Sequence, residues 1–183
     1  MAETQYIVFT ADVQTIQAGK LRAALTQASN DGKDIYLIIS SGGGNVFEGM
    51  SLSAFIKTLP VMVTTHNVGQ IDSIAGVIFA AGTKRYARAN ASFLFHGVSM
   101  HYDNKDFIES QLEEQYRGVK RMREDIAAAF AAYTGLSVAD TQALMISGST
   151  ILTAQEALSK AIIHEIRDIT IPPGSQIVAI GNS

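Results

Sequence analysis

Cysteine is absent from the 183 residues, which removes disulfides, thiolate catalysis and cysteine metal sites together. A chain without it suits a reducing compartment, and the cytoplasm is the expected location. Net charge is small: fourteen Lys and Arg oppose seventeen Asp and Glu, a formal balance of -3, and the one basic cluster is Lys120-Arg121-Met122-Arg123 on a predicted helix. Nucleic acid is therefore not an expected partner. No apolar run reaches the ~20 residues a membrane helix needs, the nearest being Ile74 to Ala81, so no membrane partner is expected. The opening Met1-Ala2-Glu3-Thr4 does not read as a signal peptide. Repeats and low-complexity tracts are missing, and neither a metal nor a cofactor is expected.

What is present is an alternation of strand-like and helix-like segments, the pattern of a mostly parallel sheet with crossover helices. The length fits a single domain over residues 1–183, with 167–183 as a C-terminal extension. Tyr6 to Thr10 reads as a strand and Thr15 to Ser29 as a helix with Ile16, Leu21, Ala24, Leu25 and Ala28 inward. Asn30-Asp31-Gly32 turns the chain into Asp34 to Ser40, whose Ile-Tyr-Leu-Ile-Ile suits a strand covered on both faces. Val46 to Thr58 is a predicted helix stopped by Pro60, and Val61 to Thr65 the next strand. A helix is expected to open at Ser73 and run to Ala81, followed by strands at Arg85 to Ala87 and Ser92 to His96. The longest helix is expected over Asn104 to Tyr133, with Phe107, Leu112, Val119, Ile126 and Phe130 on one face. That face is longer than one small sheet should cover, which predicts self-association. Thr153-Ala154-Gln155-Glu156 is a capping box, and the tail beyond Ile162 holds short strand-like pieces broken by Pro172-Pro173-Gly174.

Three segments carry candidate chemistry. The triplet Gly42-Gly43-Gly44 lies between a strand and a helix, yet no Gly-Lys-Ser/Thr ending follows it and the spaced glycines of a dinucleotide loop are missing. Two readings remain: a plain tight turn, or a loop in which the amide of Gly44 or Gly43 faces a reacting carbonyl that any side chain would block. Ser73 precedes an apolar run, where a serine commonly caps a helix, but a serine can also be a nucleophile if an imidazole takes its proton. His96 ends the apolar stretch Phe93 to Phe95, and His66, His101 and His164 are further candidates that spacing alone does not separate.

The stretch Lys33-Asp34-Ile35-Tyr36-Leu37 through Ser41-Gly42-Gly43-Gly44-Asn45-Val46-Phe47-Glu48-Gly49-Met50 resembles the strand and Ser-Pro-Gly-Gly loop of the Clp protease proteolytic subunit family. Gly69-Gln70-x-x-Ser73, with Gly82 nine residues on, is similar to that family's nucleophile segment, and Asn90 to His96 to the strand that delivers its histidine. Val46-Phe47-Glu48-Gly49 and Leu152 to Ala157 also resemble relatives encoded in phage head-gene clusters. The likeness spans roughly residues 5 to 166. It implies a ClpP/crotonase-like α/β spiral of mostly parallel strands with crossover helices and one long helix. It further implies a serine-type endopeptidase with Ser73 as nucleophile, His96 as general base, and the amides of Gly44 and Ile74 as the oxyanion hole. The implied substrate is a peptide or unfolded protein, cleaved inside a homo-oligomeric ring.

The resemblance has four departures. The family's acidic triad member falls at Ser149, which leaves that hydroxyl or a backbone carbonyl to orient His96. The glycine-rich strand after the histidine is replaced by the bulkier Gly97-Val98-Ser99-Met100-His101-Tyr102-Asp103. The family's N-terminal gating segment is unmatched, which argues against docking to an ATPase unfoldase. Ser41-Gly42 stands for Ser-Pro, and Asp72 and Ala75 flank the serine where the family has small residues and glycine. Two alternatives follow: a weak or inactive scaffold subunit, or a crotonase-like acyl-CoA enzyme in which Glu48 would be the acid beside the glycine loop.

Overall fold

The computed structural model describes residues 3–100, 106–146 and 148–182. Its elements run β1 (Thr4–Thr10), α1 (Thr15–Asn30), β2 (Asp34–Ser41), α2 (Val46–Thr58), β3 (Val63–Asp72), α3 (Ala75–Ala80), β4 (Lys84–Ala87) and β5 (Ser92–Phe95). They continue as α4 (Glu109–Tyr133), α5 (Val138–Ile146), β6 (Thr150–Thr153), α6 (Ala154–Ser159), β7 (Glu165–Ile166) and β8 (Ile177–Gly181). Strands pair in the order β6-β5-β3-β2-β1-β8, with β4 joining β3 to β7. Every pairing is parallel except β5 with β6, so the chain has the expected α/β architecture with crossover helices.

The site depends on how β3 ends. Its first half, Thr64 to Asn67, pairs with β4, whereas Gln70 to Asp72 pair with β5. Between the two, the register against β2 jumps from Ile39–Asn67 to Ser41–Ile71. Side chains cover this bulge: the Gly69 N–H donates to Asn67 Oδ1 at 3.0 Å and the Gln70 N–H to Ser40 Oγ at 3.3 Å. The bend re-aims the end of the strand, as bulges do, and carries Ser73 beside β5. Sequence periodicity stops the strand at Thr65 because polar His66 and Asn67 follow. Both are fully buried, with Asn67 Nδ2 donating to Ser92 O at 2.8 Å, so the ladder continues through them.

Three further expectations need correction. Ile16 is 68% exposed, because the buried stripe of α1 is Ala18, Leu21, Leu25 and Ala28, and a residue two before Ala18 lies roughly 200° round the helix. Ser73 does not open a helix, since α3 begins at Ala75. The long helix starts at Glu109 rather than Asn104, a position that lies outside the described residues. Only its second half is buried: Ile126, Ala127 and Phe130 enter the core, while Leu112 and Tyr116 are exposed. Phe130 packs edge-on to Phe95 at 5.3 Å. Burying one such ring contributes roughly 1.5–3 kcal/mol, and the edge-to-face contact adds about 0.5–1.5. That contact anchors α4 to the strand that ends at His96.

Helices α5 and the strand β6 were not legible from spacing. The capping box before α6 forms, with the Glu156 N–H donating to Thr153 Oγ1 and the Thr153 N–H to Glu156 Oε2. On the tail, β8 adds to the free edge of β1.

Candidate active site

Ser73 is held in an uncommon backbone conformation, with φ of 55°. A non-glycine residue there costs on the order of 1–2 kcal/mol. The Ser73 N–H donates to Leu94 O at 2.8 Å and the Gly76 N–H to Ser73 O at 3.0 Å, which ties this strand-to-helix turn to β5 and to the start of α3. A helix cap would leave the serine in an extended conformation with its hydroxyl on a helix amide. Ser73 has neither feature, and its hydroxyl makes no hydrogen bond among the described residues. The hydroxyl is thus not spent on structure.

The glycine loop closes over this turn. The Val13 N–H donates to Gly43 O and the Asn45 N–H to Val13 O, both at 2.7 Å, a parallel bridge that turns the Gly44 N–H away from Val13. Gly43, at φ 88°, presses against the elbow: a Cβ there would lie 2.8 Å from both Asp72 O and Ser73 Cβ. At Gly44, φ 140°, a Cβ would meet Val13 O at 2.6 Å. The Gly43 N–H donates to Ser41 Oγ at 3.3 Å, whereas the Gly44 and Ile74 amides make no hydrogen bond among the described residues. Two free N–H groups from neighbouring segments are what a developing oxyanion requires.

One cavity of about 90 Å³ is lined by Gly44, Ser73, Ile74 and His96 together. Its remaining wall is mostly apolar, with Val77, Phe95, Ile126, Phe130 and Met145 beside the polar Ser99 and Thr141. The four sequence candidates drawn from three separate motifs thus meet in one place. Serine and imidazole share the cavity without a hydrogen bond between them among the described residues.

His96 Nδ1 lies 2.6 Å from Gly97 O. A carbonyl only accepts, so Nδ1 carries the proton and the lone pair sits on Nε2. Ser149 is exposed and makes no hydrogen bond to His96 among the described residues. The backbone carbonyl of Gly97 is the partner instead, a role spacing could not single out because it belongs to the chain path after β5.

Asp72, next to the serine, is half-buried; burial pushes its carboxyl above the usual range, and the His96 imidazole pulls it back. Of the other histidines, His66 is buried under the sheet with Nδ1 2.8 Å from Tyr36 Oη and Nε2 3.1 Å from Arg167 O. His164 accepts the Arg85 N–H at Nδ1. His101 lies outside the described residues. Glu48 does not line the cavity; half-buried on α2, it faces Arg22 of α1 at 3.7 Å. Among the described residues, no group of acidic residues and histidines is placed to hold a metal ion, and no helix is long and apolar enough to cross a membrane.

The ATP-dependent Clp protease proteolytic subunit 1 of Leifsonia xyli subsp. xyli is 28% identical over 164 residues, which cover 86% of this chain and 80% of that protein. A family model described as Clp protease matches residues 1–170, nearly the whole chain, and by that match the chain belongs to the Clp protease family.

Proposed function

We propose that this chain is a serine endopeptidase subunit in which Ser73 and His96 cleave peptide bonds. The observation that carries the reading is the convergence on one cavity of a hydroxyl and two amides without hydrogen-bond partners among the described residues and an imidazole whose Nδ1 is held by Gly97 O. His96 Nε2 takes the Ser73 proton as Oγ adds to the scissile carbonyl, a contact that closes when substrate fills the cavity. The Gly44 and Ile74 amides receive the oxyanion, each worth roughly 10²–10³ in rate at such sites. Collapse of the tetrahedral species transfers the imidazolium proton to the leaving amine and leaves an acyl group on Ser73. Water, deprotonated by the same imidazole, then releases the acid. The apolar wall of Ile126, Phe130 and Met145 suits an uncharged side chain on the acyl side of the cleaved bond. Ring assembly through α4 and a cytoplasmic setting belong to the same reading.

Treatment with a fluorophosphonate probe tests it. Covalent labelling in the wild type and none in Ser73→Ala is the expected result, with fold and oligomeric mass unchanged. Equal labelling or equal peptide hydrolysis in both proteins refutes it. A second reading, a non-catalytic scaffold subunit, draws on two facts among the described residues: Ser73 and His96 share no hydrogen bond, and Nδ1 meets a backbone carbonyl rather than a carboxylate. It predicts no labelling in the wild type. The acyl-CoA alternative has less support, because Glu48 faces Arg22 rather than the cavity.

A further inference from the structure

Asp72 is a half-buried carboxylate that no described residue pairs with. It makes no hydrogen bond or ion pair among the described residues, so the fold gains nothing visible from its charge, while burying a charge in part is a cost. Its position is specified by the β3–β5 ladder, in which Ile71 pairs with Phe93 and Asp72 with Leu94. Ile71, Phe93 and Phe95 point into the core. Asp72 and Leu94 therefore share the opposite face, and His96, two residues beyond Leu94, follows on the same face by the alternation of side chains along a strand. The carboxylate at the end of β3 and the imidazole one residue past the end of β5 thereby stand on the same side of the sheet.

We propose that Asp72 is a positioning residue for hydrolysis, supplying the negative charge that stabilises the His96 imidazolium in the transition state while the Gly97 carbonyl holds the imidazole in its tautomer. The two tasks that one carboxylate usually performs are thereby divided between a backbone oxygen and a side chain on another strand. The inference rests on the serine–histidine reading above. The direction of the shift on the Asp72 carboxyl agrees with it: burial raises it, and the nearby His96 imidazole acts in the opposite sense. Among the described residues that line the cavity with the imidazole none other is charged: β5 continues into Gly97 and Val98, α4 contributes Ile126 and Phe130, and α5 contributes Thr141 and Met145.

The experiment compares wild type, Asp72→Asn and Asp72→Ala by the rate of fluorophosphonate labelling and of peptide hydrolysis from pH 5 to 9, with thermal midpoints measured alongside. Loss of one charge across a partly solvated gap should slow both reactions about tenfold at pH 7. Without the carboxylate the imidazolium is less favoured, so the acid limb of the rate profile should move to lower pH in both variants. The thermal midpoint should hold or rise, because an unpaired buried charge has been removed. An unchanged rate and acid limb in Asp72→Asn overturn the proposal. So does a loss that is uniform across pH and accompanied by a lower thermal midpoint, the signature of a purely structural residue. A wild type with no Ser73-dependent labelling refutes the underlying serine reading instead, and that outcome is visible before any Asp72 variant is made.

Discussion

Alanine at Gly43 probes the contact between the glycine loop and the nucleophile turn, and Gly32 provides its control. Both glycines have left-handed backbones, at φ 88° and 68°, but a Cβ at Gly32 meets nothing within 4 Å. The conformational penalty is roughly 1–2 kcal/mol in each case, and the stiffer unfolded chain returns about 0.4–1. Gly32→Ala should therefore cost about 1 kcal/mol, or ~2–4 °C in thermal midpoint for a domain of this size, with activity intact. Gly43→Ala adds an overpacking term. Its Cβ would stand 2.8 Å from Ser73 Cβ and Asp72 O, against the ~3.5–4.0 Å at which such atoms pack well. Neither partner is the flexible end of a side chain, so the turn must move by roughly 1 Å to restore ordinary contact. Overpacking of this kind costs roughly 1–3 kcal/mol, and a nucleophile displaced by about 1 Å loses on the order of 100-fold in rate. The assay is fluorophosphonate labelling of Ser73 together with thermal melting of both variants. Wild-type labelling by a folded Gly43→Ala protein would show that the loop does not bear on the nucleophile, and the reasoning from this contact would fail.

Three other perturbations have defined outcomes. Ser149→Asp should not raise the hydrolysis rate, because residue 149 is exposed and His96 Nδ1 is already paired with Gly97 O; a clear gain in the folded variant would reassign the imidazole's partner. Tyr36 has its hydroxyl pushed up to about 12, chiefly by burial, so the folded state keeps its proton when the unfolded chain has lost it. Its contribution is complete below pH 10 and lost as pH rises toward 12, so Tyr36→Phe should flatten the fall in thermal midpoint over that window, and an unchanged slope would contradict it. Ile108, Leu112 and Tyr116 form an exposed stripe at the start of α4, and Leu112→Glu should lower the oligomeric mass seen by light scattering; identical masses would assign assembly to another surface.

The local chain was sufficient for much of this. Alternating apolar runs identify a parallel α/β sheet, and Thr153 and Glu156 mark a helix start, because hydrophobic period and capping act between residues a few positions apart. The motifs around Gly44, Ser73 and His96 single out three segments that the fold brings to one cavity. Other features arose only from long-range contacts. The strand β3 continues through His66 and Asn67 because partners 25 or more residues away satisfy their polar groups. Ser73 lies outside a helix because a bulge against β2 and a hydrogen bond to Leu94 hold the turn open. The partner of His96 is a backbone oxygen, which every residue carries and no side-chain pattern reveals. Asp72 reads locally as an ordinary polar residue, and only the pairing of β3 with β5 sets it opposite Leu94, two residues before His96.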